Sequence, residues 1–201
     1  MGKTGIMGGT FDPIHCAHLR MARCAMEQKE LDRVLFMPSK IPPHKMGRKV
    51  SDEKLRAHLV RLAIEGEENF YYSDFELRRE GTTYTAKTLA LLKEQQPEEM
   101  FYFIMGGDSL FQFANWYHPE EIAQNAVILA VSRGTAGKRQ MKEQAEVLAE
   151  QFHGRFELIR MEKMEISSSL IREKIAKGES VRQMLPERVY EYIRRNHCYK
   201  A

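Results

Sequence analysis

Short apolar runs alternate with amphipathic stretches along this chain, and each run stops at residues that turn the backbone. Ile6-Met7 meets Gly8-Gly9, Val34–Met37 meets Pro38, Phe101–Met105 meets Gly106-Gly107, and Val127–Val131 meets Ser132-Arg133-Gly134. Short apolar runs with such boundaries predict buried strands. Phe70–Leu77 alternates apolar and polar positions and predicts another strand, and Phe156–Arg160 a last, short one. Between them, about Ala17–Lys29, Ser51–Ile64 (with Leu55, Leu59, Leu62 and Ala63 at helical spacing), about Ala86–Glu94 and Lys138–Gln151 predict helices. A serine-led helix ends at Gly178, and Pro186–Arg195 predicts a terminal one. Strands alternating with helices predict a doubly wound α/β fold: a mostly parallel sheet, helices on both faces, and the site at the strand ends. The expectation is one domain over residues 1–201, with a helical portion at about 167–201.

Composition narrows the function classes. With 201 residues, 43% hydrophobic and 29% charged, the chain has the make-up of a globular domain. A net charge of +3 suits anionic small molecules. It falls short of a nucleic-acid binder's basic surface, and no stripe of aromatic and basic residues is present. The three cysteines are odd in number and unpaired in spacing, which points to a reducing compartment. The expectation is that no leader precedes the first strand, and no apolar run is long enough to span a bilayer. The expectation is a cytoplasmic protein with no membrane or nucleic-acid partner. Oligomeric state stays open, a homo-oligomer included.

The chemistry concentrates at the first strand's exit, Gly8-Gly9-Thr10-Phe11-Asp12-Pro13-Ile14-His15-Cys16-Ala17-His18. Paired glycines mark a sharp turn or a close approach to the backbone. Pro13 delays the helix until about His15, which places His15 and His18 on one face of its first turn. A helix N-terminus offers free N–H groups and a favourable dipole to an anion, and two imidazoles add donors. The stretch therefore reads as a phosphate site. It is not a Walker loop, because no Gly-Lys-Ser/Thr follows, and the third glycine of the dinucleotide fingerprint is missing. His15, Cys16 and His18 could be metal ligands, but no further spaced Cys or His pair completes a tetrahedron.

Other strand exits carry related features. Ser39–Lys45 is a stiff, cationic loop. Trp116 and Tyr117 follow the Gly106–Ser109 turn, a place for a surface that stacks on an aromatic ring. Ile166-Ser167-Ser168-Ser169-Leu170-Ile171-Arg172 opens a helix with hydroxyls, and Arg172 falls within its first turn. One serine would cap the helix. Three, with a guanidinium, form a second phosphate clamp.

Gly-Gly-Thr-Phe-Asp-Pro-Ile-His-x-x-His resembles the first signature of the nucleotidyltransferase superfamily with the His-x-Gly-His motif, with Ala17 in place of the usual glycine. Ile-Ser-Ser-Ser-x-Ile-Arg resembles its second. Pro42–Lys45, Thr83–Leu89, Gly106–Leu110 and Trp116-Tyr117 extend the likeness, over nearly the whole chain, to the bacterial nicotinate-nucleotide adenylyltransferases. The resemblance implies a Rossmann-like nucleotidyltransferase fold and an enzyme joining nicotinate mononucleotide to the AMP part of ATP, with release of pyrophosphate. It implies that His15, His18 and Arg172 are catalytic. It places Gly8, Gly9, Thr10, Phe11, Arg133, Ile166, Ser167, Ser168 and Ser169 around ATP, and Lys45, Thr85, Asp108, Trp116 and Tyr117 around the mononucleotide. Trp116 would stack on the pyridine ring, and backbone near Thr85 and Tyr117 would receive the carboxylate. Mg²⁺ would travel on the ATP phosphates, with no protein metal site. Ser132-Arg133-Gly134 departs from the Arg-Pro-Gly common in relatives. The alternatives are pantetheine-phosphate adenylyltransferase and a regulatory module that binds nucleotide without turnover.

Overall fold

Each apolar run forms a strand whose alternate side chains enter opposite cores. The computed structural model describes residues 2–40, 50–133 and 137–200. Its strands are β1 (Lys3–Gly9), β2 (Arg33–Pro38), β3 (Phe70–Tyr72), β4 (Met100–Gly106), β5 (Val127–Arg133) and β6 (Phe156–Met161). They form one sheet in the order β3-β2-β1-β4-β5-β6, with all pairings parallel. The helices are α1 (Cys16–Lys29), α2 (Glu53–Ile64), α3 (Thr85–Gln95), α4 (Gly107–Gln112), α5 (Pro119–Asn125), α6 (Lys138–Phe152), α7 (Ser168–Ala176) and α8 (Glu187–Arg195).

Met7, Ile104 and Leu129 face a core shared with Met21, Leu59, Val60 and Val189. Their neighbours Ile6, Phe103 and Ile128 face a second core with Leu89, Leu92 and Leu148. This is the two-residue period of a strand buried on both faces. Strand order runs outward from β1 in one direction and from β4 in the other. The exits of β1 and β4 therefore flank the crevice where such sheets bind ligands.

The strand expected over Phe70–Leu77 is shorter, ending at Tyr72. Val34 N–H donates to Asn69 O and Ser73 N–H to Phe36 O, so alternate residues of β2 serve this ladder. The next rung would need an N–H from Pro38, which has none. The chain turns instead, with Arg78 N–H donating to Asp74 O at 3.0 Å. Among the described residues, no helix is long and apolar enough to cross a membrane.

Candidate active site

Gly8 and Gly9 are the last two residues of β1, and neither has a left-handed backbone. The residue that does is Phe11, with φ of 51°. The sharp turn expected at the glycines therefore falls two residues later, and the glycines serve close approach. A Cβ on Gly9 would stand 3.2 Å from the Phe11 ring, and one on Gly8 3.4 Å from the Phe103 ring. Phe11 is buried, and its ring meets the His18 ring edge-on at 5.1 Å.

His15 is the N-cap of α1 rather than part of its first turn, and it is buried. Its N–H donates to His18 Nδ1 at 3.2 Å, while His18 N–H donates to His15 O at 2.9 Å. The two rings stack with centroids 3.7 Å apart. Because Nδ1 of His18 accepts, the neutral ring carries its proton on Nε2, which makes Nε2–H a donor. No acidic side chain occupies the first turn of α1, so its positive end is not offset there. Ala17 is fully buried, and the methyl that departs from the signature lies within the protein. Burial pushes the Cys16 thiol up, which keeps it protonated and a poor nucleophile near neutral pH.

The second clamp closes onto the first. Ser167 is the N-cap of α7, and its Oγ accepts from Leu170 N–H at 3.1 Å. Ser168 Oγ reaches across to donate to Pro13 O at 2.9 Å. Arg172 lies in the second turn of α7, not the first. It donates from Nη1 to Asp12 O at 2.5 Å and from Nη2 to Ser169 Oγ at 3.5 Å. Ile166 precedes this cap and is half-buried. The start of α7 and the Arg172 guanidinium are thus tied to the Asp12-Pro13 backbone, which leads into the histidine pair at the start of α1.

On the other side of the crevice, Thr85 is the first residue of α3, whose N-cap Tyr84 gives no side-chain capping bond. The Tyr84 ring packs on Tyr117 at 4.2 Å. Trp116 is half-buried, edge-on to Phe103 at 6.0 Å and tilted against Phe113 at 5.7 Å. It is therefore partly core and partly surface. Phe103 connects it to Gly8. Asp108 lies exposed in the first turn of α4. Thr10 is buried, and Arg133 is the last residue of β5. Lys45, Gly134 and the Arg133 side chain lie outside the described residues.

The sequence matches the "Cytidylyltransferase-like" family over residues 6–174. A Lachnoclostridium phytofermentans protein named "Probable nicotinate-nucleotide adenylyltransferase" is 43% identical over 199 residues, covering 99% of this chain and 100% of its own. Another protein of that name, from Carboxydothermus hydrogenoformans, is 37% identical over 98% of each chain. The chain belongs to the nicotinate-nucleotide adenylyltransferase family. The fold of this adenylyltransferase matches Plasmodium falciparum nicotinic acid mononucleotide adenylyltransferase complexed with NaAD at TM-score 0.81 and 19% identity, covering 99% of this chain and 98% of that one.

Three residues that support the adenylyltransferase site escape a reading by motif. Arg56 is 1% exposed and donates to Thr10 O (2.8 Å), Ser39 O (2.8 Å), Lys40 O (3.2 Å) and Ser51 O (3.0 Å), tying the exits of β1 and β2 together. Its signal was an arginine in the apolar stripe of α2, beside Leu59, Val60 and Ala63. Tyr199 donates to Asp12 Oδ1 at 2.9 Å, a contact with no local signature. Glu76, also buried, accepts from Thr83 Oγ1 at 3.0 Å and Thr88 Oγ1 at 2.8 Å, bracketing the start of α3.

Burial pushes the Glu76 carboxyl up from 4.5, against the bonds from Thr88 and Thr83 that pull it down. An acid whose folded pKa is raised favours folding fully below its unfolded pKa, and that contribution is lost as pH rises through the folded pKa. Glu76→Gln removes the titration. The melting temperature of the variant relative to the parent is expected to climb as the pH is raised from about 4 through and beyond the ordinary glutamate range. A constant difference over that range would mean that Glu76 ionises alike in both states.

Proposed function

We propose that the chain joins nicotinate mononucleotide to the AMP moiety of ATP, forming deamido-NAD and pyrophosphate, through His15, His18 and Arg172. The observation that carries the assignment of residues is the anchoring of α7 on Asp12-Pro13, the backbone that leads into the start of α1. One helix start carries the histidine pair, and the other brings Arg172 to the same few atoms. Such a site has donors for a triphosphate on more than one side.

The acceptor's phosphate oxygen attacks the α-phosphorus of ATP, and the bond to the pyrophosphate oxygen breaks. Such a transfer needs positioning and neutralisation of charge more than covalent help. A phosphate monoester is largely dianionic near neutral pH, with a second pKa of about 6, so the attacking oxygen needs no general base. His15 and His18 donate to triphosphate oxygens where negative charge builds, and Arg172 holds the departing pyrophosphate. Gly8 and Gly9 let the Phe103 and Phe11 rings close on the strand exit beside the ligand site, and Ser167–Ser169 and Ile166 line the α7 side.

Mg²⁺ fits this site as a companion of the triphosphate. The carboxylate of Asp12 is buried and held by Tyr199 and Ser51, so the ion would be carried by the phosphate oxygens rather than by Asp12. Bound in that way, it would offset phosphate charge. The N–H groups at the start of α3 suit the nicotinate carboxylate, and the half-buried Trp116 suits its ring. Free cysteines fit a cytoplasmic enzyme.

The direct test is incubation with ATP, Mg²⁺ and either nicotinate mononucleotide or phosphopantetheine, followed by identification of the product. A dinucleotide from the first alone is expected. Dephospho-coenzyme A formed from the second would move the chain to the pantetheine branch, and no pyrophosphate from either would make it a binding module.

Trp116 separates these branches at residue level. A pyridinium ring stacked on indole gains about 0.5–2 kcal/mol, so Trp116→Ala is expected to raise the KM for the mononucleotide roughly 2- to 30-fold. The packing on Phe103 and Phe113 means that the variant also melts lower. Trp116→Phe, which retains a ring, should recover part of both losses. The KM for ATP should stay near the parent value. Steady-state kinetics with each substrate varied in turn checks this, and an unchanged mononucleotide KM would return Trp116 to a packing role.

A further inference from the structure

The segment after α8 reaches the heart of the first motif through one side chain. Tyr199 donates from its hydroxyl to Asp12 Oδ1 at 2.9 Å. Asp12 is 4% exposed, and its other carboxylate oxygen accepts from Ser51 N–H at 3.2 Å. Its backbone carbonyl accepts from Arg172. Arg56 lies close enough for the Asp12 charge to support its own, and it holds the carbonyls of Thr10, Ser39, Lys40 and Ser51 around the same residue. Asp12 therefore joins three parts of the chain, three residues before His15.

Tyr199 itself has φ of 64°, a left-handed backbone that a tyrosine adopts only when its surroundings hold it there. Burial, and then the Asp12 charge, raise the phenol well above the usual tyrosine range, so it remains a donor throughout the physiological range. A carboxylate at a triphosphate site would repel the substrate if it turned outward. The Tyr199 hydroxyl and the Ser51 N–H occupy one oxygen each and keep it inward.

We propose that Tyr199 is a positioning residue for adenylyl transfer: its hydroxyl holds the Asp12 carboxylate away from the phosphates and sets the Asp12-Pro13 backbone that aims Arg172 and the histidine pair. The proposal rests on the reaction assigned above, and it goes further by giving the segment after α8 a part in turnover. Nothing in the contact requires Tyr199 to touch either substrate.

Tyr199→Phe removes one oxygen and retains the ring. We expect kcat to fall about 10-fold or more, which corresponds to about 1.4 kcal/mol, with the mononucleotide KM within about 2-fold of the parent. Val189→Ala, in the buried face of α8, is the control for stability, because it weakens the same region without touching Asp12. Its kcat should match the parent at a temperature where both variants are fully folded. A second measurement needs no turnover. In the free protein, the imidazole NMR signals of His15 and His18 should move in Tyr199→Phe and stay in place in Val189→Ala, with His153 as an internal reference. Retention of kcat within 2-fold, or unmoved histidine signals, would overturn the proposal. So would an equal kcat loss in Val189→Ala. If the parent makes no dinucleotide while the histidine signals still respond to Tyr199→Phe, the assigned reaction is wrong and the coupling of Tyr199 to the histidine pair stands.

Discussion

Replacing His18 by alanine is expected to lower kcat by about 10²-fold or more while the affinity for ATP changes little. Loss of a donor aimed at developing charge costs roughly 2.7–4 kcal/mol of barrier, because the interaction strengthens in the transition state. The geometry specifies which atom matters. His18 Nδ1 is occupied by the His15 N–H, so catalysis depends on Nε2–H. That bond also serves the start of α1, and its loss should cost about 1 kcal/mol of stability. His18→Asn separates the two effects: the amide oxygen takes over the bond from His15 N–H, and no group replaces Nε2–H. We expect His18→Asn to recover much of the lost melting temperature and little of the lost turnover. Calorimetry beside steady-state kinetics reads both. Near-normal turnover in either variant would remove His18 from the chemistry.

Arg172→Ala is expected to cost about as much, and Arg172→Lys to recover only a small part of it. The guanidinium already spends one edge on the Asp12 carbonyl and the Ser169 hydroxyl. A planar fork held there presents its remaining N–H groups in a fixed direction. A lysine ammonium satisfies the Asp12 carbonyl or reaches a phosphate, but it lacks the fixed second edge. The Lys variant should therefore keep a kcat about 10-fold or more below the parent at saturating ATP. Because the side chain is half-buried, the Ala variant should also leave the Asp12 carbonyl without this donor and melt lower. Full recovery by lysine would show that charge alone suffices. Full activity in Arg172→Ala would take the residue out of the site.

Much of this was legible in the chain itself. Parallel strands buried on both faces must be short, continuous apolar runs, so β1, β2, β4 and β5 are legible in the sequence, but the turn expected at Gly106–Ser109 is the end of β4 and the first residues of α4. The helix-start features at His15 and Ser167 were local as well, since capping is settled by residues within one turn. β3 stops at Tyr72, short of the alternating pattern, because the end of an edge strand depends on its neighbour, and here the neighbour's Pro38 removes the next rung.

Glycines after a strand read as a turn, yet the reversal belongs to Phe11, whose ring needs the space that Gly9 leaves. Which hydroxyl of Ser167, Ser168 and Ser169 caps α7 and which reaches Pro13 could not be read from their order. That division depends on α7 packing against the β1 exit. Arg56 and Tyr199 were out of reach for the same reason. Hydrophobic period and motif spacing are properties of neighbours along the chain. The Asp12 carboxylate is satisfied by Ser51 and by Tyr199, 187 residues away in sequence, and the folded chain alone brings such partners within 3.2 Å.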